Sequence, residues 1–261
     1  MITDKRVDER GAPKQWVNGT RGDLYRQSSE ISKKSFAIYA DKIGAKHHFS
    51  TRQVYTKGSS GAPQSYLYEC LRVIYDPIYD EYDNVLFADS DIIANTNKNI
   101  FDLVDDHEMY GIYESEIRTG NGGGYNSWDF KDEAFNQIKT KFDRLSLPIV
   151  GLDSPFRPSK FAMLNTGVVL WTKEGRMKAR KNFDDWKVFF YDGLSNKDMQ
   201  WLNNDQPFIS SQIIKHNMKL KCIGQTWNDT PNHYRSYEDW KNQNFLHYTG
   251  GDGKVQLIED H

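Results

Sequence analysis

The sequence predicts an α/β fold, a single domain in which a mostly parallel central sheet is flanked by helices. Three observations predict it. Apolar runs of strand length alternate along the chain with segments of helical periodicity. The run Val85-Leu86-Phe87-Ala88 is apolar throughout, as a strand buried on both faces of a parallel sheet would be. It ends in Asp89-Ser90-Asp91, two carboxylates at the carboxyl end of a strand, where open α/β sheets bind their ligands.

The elements follow in order. The first 25 or so residues are polar and poorly defined, with one short strand suggested at residues 14–17. Residues 29–43 have helical spacing of Ile31, Phe36, Tyr39 and Ile43, with Gly44 as the stop. Residues 46–50 read as a strand; His47 and His48 would face opposite ways there, so they read as structural rather than as a ligand pair. The loop at 56–63 lacks the spacing of a phosphate-binding glycine motif. Residues 64–74 are helical, with Leu67, Leu71 and Ile74 on one face and Arg72 off it. After the carboxylate strand come a strand at 109–113, a glycine-rich loop at 119–125 that suits a mobile cover or a disordered insertion equally, and a helix at 132–145. An apolar strand at 161–171 is broken by Asn165-Thr166-Gly167. Helices at 173–191 and 205–216, a strand at 220–223 and an irregular C-terminal part complete the chain. With no repeat and no clear linker, residues 1–261 read as one domain.

Composition excludes several classes. A net charge of −2 gives no basic field for nucleic acid. Lys173, Arg176, Lys178, Arg180 and Lys181 form a local basic cluster, read as a solvated helix face. Cys70 and Cys222 have neither disulfide-framework nor zinc spacing. No apolar segment is long enough to span a membrane and the N-terminal residues are polar, so the expectation is a cytoplasmic protein without a membrane span. Asn18-Gly19-Thr20 and Asn228-Asp229-Thr230 match glycosylation sequons that have no meaning without secretion.

Asp89 and Asp91 lie i and i+2 in an extended segment, which places both on one face. Two like charges held there call for a cation between them. Three later segments offer groups to complete such a site. His247-Tyr248-Thr249-Gly250, with Lys254, joins an imidazole, a glycine for close backbone approach and a point charge for phosphate. Asn165-Thr166-Gly167 sets polar groups in a buried strand, as a bulge or as ligand-facing groups. Asn204 or Asp205 would cap the helix they precede, with Gln206 in its first turn.

Taken in order, Asp89-Ser90-Asp91, Asn165-Thr166-Gly167, Asp205-Gln206 and His247-Tyr248-Thr249-Gly250 with Lys254 resemble the nucleotide-sugar glycosyltransferases of the GT-A fold. The likeness is to the retaining, family 8-like group of glycogenin and the bacterial lipopolysaccharide galactosyltransferases, and it runs from about residue 30 to 254. It implies a Rossmann-like GT-A domain whose C-terminal segment, 225–261, closes the site. It implies that Asp89, Asp91 and His247 bind Mn2+ or Mg2+, and that Asp89 also contacts the donor. Arg72, Gly250 and Lys254 would hold the nucleoside-diphosphate sugar, UDP-sugar favoured. Asn165, Asp205 and Gln206 would face the donor sugar as the catalytic set. The partners implied are that donor and a carbohydrate or glycoconjugate acceptor, with retention of anomeric configuration.

Two departures stand out. The family commonly has a shorter gap between the glycine and the lysine, followed by Pro-Trp, whereas here Val255-Gln256 follows Lys254. The N-terminal strand that normally holds the base is hard to recognise. The alternatives are an inverting GT-A transferase using Asp153 or Glu114 as base, and a non-catalytic nucleotide-sugar or glycan-binding module of the same fold. A nucleotidyltransferase would want a glycine-rich basic signature near the N-terminus, for which Arg21-Gly22-Asp23 is too slight.

Overall fold

The computed structural model describes residues 21–50, 65–113, 146–152, 163–195, 204–230 and 240–261. The expected features at 14–17, 56–63, 119–125 and 132–145, and the residues Glu114 and Asp153, lie outside the described residues. The elements used below are helix α1 (Arg21–Ile43), strands β1 (Asn84–Ala88), β2 (Ile92–Ala94), β3 (Met109–Tyr113) and β4 (Leu164–Thr172), helices α2 (Lys173–Asn182), α3 (Trp186–Ser195) and α4 (Asp205–Lys215), strands β5 (Leu220–Cys222) and β6 (Phe245–His247), and helix α5 (Gly250–Asp260).

The α/β class is met. Among the described residues the main sheet has the order β1-β4-β3-β5, and β2 pairs with β6 in a separate two-stranded ribbon. β4 runs antiparallel to both β1 and β3, and β3 runs parallel to β5. The sheet is therefore mixed rather than mostly parallel. β1, β3 and β5 share one direction, but β4 inserts between the first two and turns their contacts antiparallel. β1 consequently stands at the edge of the described sheet instead of its centre, and Asn84, Val85 and Leu86 are only half-buried.

Strand alternation divides the core into two layers. Phe87, Val169 and Trp171 face Tyr68, Phe189, Phe190 and Phe208 on one side. Ala88, Val168 and Leu170 face Phe36, Tyr39, Trp227 and Phe245 on the other. Helix α1 lies against β2 through polar contacts as well as apolar ones. Ser32 Oγ donates to the Ile92 carbonyl, and Ser35 Oγ accepts from Ala94 N at 2.8 Å. One edge of β2 is held in this way while the other pairs with β6.

Other elements depart from the sequence reading for local reasons. Residues 46–50 form no strand. The segment before β1 is a 3-10 helix, Ser65–Leu71, that becomes α-helical only at Arg72–Tyr75. The helix expected over 173–191 breaks at Phe183, whose ring turns inward against Trp171 and Phe208. The basic cluster on α2 is a solvated face only at Lys173 and Lys181, which are exposed. Arg176 is buried and donates to the carbonyls of Trp171, Tyr79 and Tyr82, Arg180 forks onto Asp80, and Lys178 bonds Glu108. The irregular C-terminal part contains β6 and α5, the latter masked in the sequence by three glycines in its first turn. No helix among the described residues is long and apolar enough to cross a membrane.

A candidate metal centre between the sheet and the ribbon

Asp89 and Asp91 occupy the turn that leaves the main sheet and enters the ribbon. The turn is fixed at both ends by backbone bonds. Asp89 N donates to Gly167 O at 2.8 Å, which extends the β1–β4 ladder, and Tyr248 N donates to Asp91 O at 2.9 Å, which extends the β2–β6 ladder. Because Ile92 pairs with His247 across the ribbon, the imidazole arrives beside the carboxylates. Helix α5 then carries Lys254 back over them.

The ligand atoms of Asp89, Asp91 and His247 lie within 4.8 Å of one another. His247 Nε2 is 3.3 Å from Asp91 Oδ1 and 4.0 Å from Asp89 Oδ2. Ligands about 2.1 Å from a shared ion stand roughly 3 to 4 Å apart, so these spacings suit a divalent cation. Two carboxylate oxygens and one imidazole nitrogen are a donor set for Mn2+ or a similar ion. Asp91 Oδ1 is buried and accepts no well-aligned hydrogen bond, its nearest polar neighbour being His247 Nε2 at 3.3 Å. An acceptor left that way is costly unless a cation satisfies it. The side chain of Asp89 is 44% exposed, against 12% for Asp91 and 6% for His247, so the site opens to solvent on the Asp89 side.

The charges are coupled. Burial tends to raise the carboxyl of Asp91, but Lys254 and His247 outweigh it and hold the group well below the usual carboxylate range. Asp89 is pushed up by desolvation and by the neighbouring charges of Asp91 and Asp205, an effect that its exposed side softens. Desolvation works to lower His247 and Lys254, yet both are raised because Asp91 favours their charged forms. Lys254 is buried, pairs with Asp91 Oδ2, donates to Gly250 O at 3.4 Å and sits 4.6 Å from the centre of the Tyr25 ring. Gly250, at the start of α5, has φ +71°, which its lack of a side chain allows.

β4 supplies the next layer. Asn165 Oδ1 accepts from Gly167 N at 3.0 Å and from Asn228 Nδ2 at 2.8 Å. Thr166 Oγ1 donates to Asp205 Oδ2 at 2.5 Å, and Cys70 Sγ reaches the same oxygen at 3.5 Å. Burial pushes the Asp205 carboxyl up to about 6 in spite of those two bonds. Asn204 is the N-cap of α4, its Oδ1 accepting from Gln206 N at 3.1 Å, and Gln206 is half-buried in the first turn.

Of the sequence-selected residues, the structure thus brings together Asp89, Asp91, His247 and Lys254, with Gly250 beside Lys254 and Asp205 near enough to act on Asp89. Arg72 is elsewhere. It donates to Ser50 and Asp76 and lines a cavity of about 660 Å³ beside β1, whose walls include Phe87 and Tyr79 but none of Asp89, Asp91 and His247. Two residues named in the sequence for other reasons also contact the imidazole. Asn228, noted as a sequon and as the start of a variable loop, hydrogen-bonds His247 Nδ1 at 2.9 Å. Gly167 leaves the room that the imidazole occupies, since a Cβ there would stand 2.3 Å from His247 Cε1.

No family model and no curated protein matches the sequence. Solved structures do. The chain is similar to a glycosyltransferase involved in glycosylation of the major capsid of PBCV-1, with a TM-score of 0.47 and 13% identity over 89% of this chain and 91% of that one. It is similar to an active-site mutant of LgtC, with a TM-score of 0.43 and 14% identity over 90% of each chain. It is also similar to mouse xyloside xylosyltransferase 1 in its apo form, with a TM-score of 0.36 and 15% identity over 84% of this chain and 72% of that one.

Proposed function

We propose that this chain is a divalent-cation-dependent glycosyltransferase that moves a sugar from a nucleoside diphosphate, UDP-sugar favoured, to a hydroxyl of a carbohydrate or glycoconjugate, with retention of configuration. One observation carries the reading. Asp89, Asp91, His247 and Lys254 come from two segments far apart in sequence and converge on one spot, where a buried carboxylate oxygen accepts no well-aligned hydrogen bond.

In this reading Asp89, Asp91 and His247 hold Mn2+ or Mg2+. A cation held there supplies positive charge to a departing diphosphate. Lys254 stands ready to donate to a phosphate oxygen once the cation neutralises Asp91, and the backbone at Gly250 lies beside it. Asp205 and Gln206, in the first turn of α4, supply oxygens toward positive charge developing at the anomeric carbon. Asn165 fixes the floor of the site from β4, and Arg72 contributes to donor binding from the cavity beside β1. The acceptor enters on the open Asp89 side and attacks the face that the diphosphate leaves.

The test is a panel of UDP- and GDP-sugars assayed with Mn2+, with Mg2+ and with EDTA. Hydrolysis or transfer should require the cation, and Asp91→Asn and His247→Ala should each abolish it. Activity retained in both variants would sink the assignment. The anomer of the product, read by NMR, separates retention from inversion, and donor binding without turnover across the panel would favour a binding module.

A further inference from the structure

We propose that Asn228 is a positioning residue that fixes the tautomer of His247, so that the ring presents the lone pair of Nε2 to the cation site. The inference rests on reading Asp89, Asp91 and His247 as cation ligands. It begins at a backbone group whose polarity is not open to choice. The N–H of Gly167 donates to Asn165 at 3.0 Å, so the Asn165 atom there is its oxygen. The Asn228 amide meets that same oxygen at 2.8 Å and must do so with its Nδ2 hydrogens. An amide has one donor end and one acceptor end, so Oδ1 of Asn228 is turned to His247 Nδ1 at 2.9 Å. A carbonyl oxygen at that distance requires a hydrogen on Nδ1.

Whatever the charge of the ring, that hydrogen stays on Nδ1, and Nε2 is the nitrogen left to face Asp91 Oδ1 and Asp89 Oδ2. All members of the relay are buried, Asn165 and His247 nearly so and Asn228 completely, which shields the bonds from competing water. Gly167 serves twice, as the donor that starts the relay and as the open space beside the ring. A metal-bound imidazole is commonly oriented by the partner of its other nitrogen, and removal of such a partner lowers metal affinity by about 10–100-fold.

The experiment combines two readouts on the full chain. Long-range 1H–15N NMR of the metal-free protein, at a pH where the ring is neutral, reads the tautomer directly, and Mn2+ titration by calorimetry reads affinity. In the unaltered protein His247 should carry its hydrogen on Nδ1. Asn228→Leu, similar in size but without an acceptor, should lose that preference and bind Mn2+ about 10–100-fold more weakly. Asn228→Asp, which keeps an acceptor toward Nδ1 but loses the donor to Asn165 Oδ1, should keep the hydrogen of His247 on Nδ1. A hydrogen on Nε2 in the unaltered protein overturns the proposal even if Asn228→Leu does not fold. Equal Mn2+ affinity in Asn228→Leu and the parent overturns it as well. No Mn2+ binding by the parent removes the cation-ligand reading and the proposal with it, a failure told apart from that of the relay because the tautomer is read without metal.

Discussion

Gly167 and His247 are in contact across the gap between β4 and the ribbon, so close that a Cβ on Gly167 would stand 2.3 Å from His247 Cε1 and 2.8 Å from Nδ1. The imidazole packs on bare backbone. Gly167→Ala should therefore push the ring off its bond to Asn228, costing about 1–3 kcal/mol as an overpacked core does. Urea denaturation would measure that loss, and Mn2+ calorimetry should show weakened binding. A variant as stable as the parent with the same affinity would show that the ring can move at no cost.

Asp91→Asn should damage more than cation binding. Lys254 is buried against this carboxylate, and a neutral amide in its place leaves the ammonium without its counter-charge. Breaking a buried pair from one side costs about 3–5 kcal/mol. Adding Lys254→Met to the same chain should return part of that stability. A double-mutant cycle by chemical denaturation checks it, and additive losses would mean that the two groups are not coupled.

Asp205 gives stability a pH dependence of known sign. Its carboxyl is raised from 3.8 to about 6 in the folded chain, so the folded state prefers the protonated form. The favourable contribution is present at low pH and is lost as pH rises from about 4 through 6; the full span corresponds to roughly 3 kcal/mol. Asp205→Asn should remove that slope. The difference between parent and variant in urea stability from pH 4 to 7 isolates the group from the other carboxylates, and a difference that stays flat would refute the assignment.

Mn2+ should raise the melting temperature. The three proposed ligands meet only in the folded chain, so binding there would act on the folded state alone. At 100 times Kd the gain is about 2.7 kcal/mol. Differential scanning fluorimetry should show a rise that grows with Mn2+ concentration, reverses with EDTA and is absent in His247→Ala. The same rise in His247→Ala would place the ion elsewhere.

Much of the fold and of the candidate site's layout was legible in the sequence because it rests on local chemistry. Asp89 and Asp91 follow an apolar run, Asn204 is an ordinary cap, and Met109–Tyr113 has the length and composition of a strand. What stayed hidden depends on long-range pairing. No pattern within β1 says that β4 lies beside it and makes it an edge. Glycines at 250, 251 and 253 argue against a helix, yet α5 forms because Leu257 and Lys254 are buried against the rest of the chain. Asn228 carries no local signal of its contacts, which reach His247, 19 positions away, and Asn165, 63 positions away.

The ribbon of β2 and β6 joins parts of the chain that are distant in sequence, and Lys254 meets Asp91 across 163 residues. Contacts of such separation are slow to form, because the loop must close before any bond compensates for its lost entropy. The β1–β4 ladder and the aromatic layer around Phe208 share no strand with the ribbon, whereas the cluster exists only once β2 and β6 have paired. Recovery of the Asp89–Asp91–His247 cluster during refolding would then report the closing of the ribbon, timing the moment when the molecule's clasp shuts.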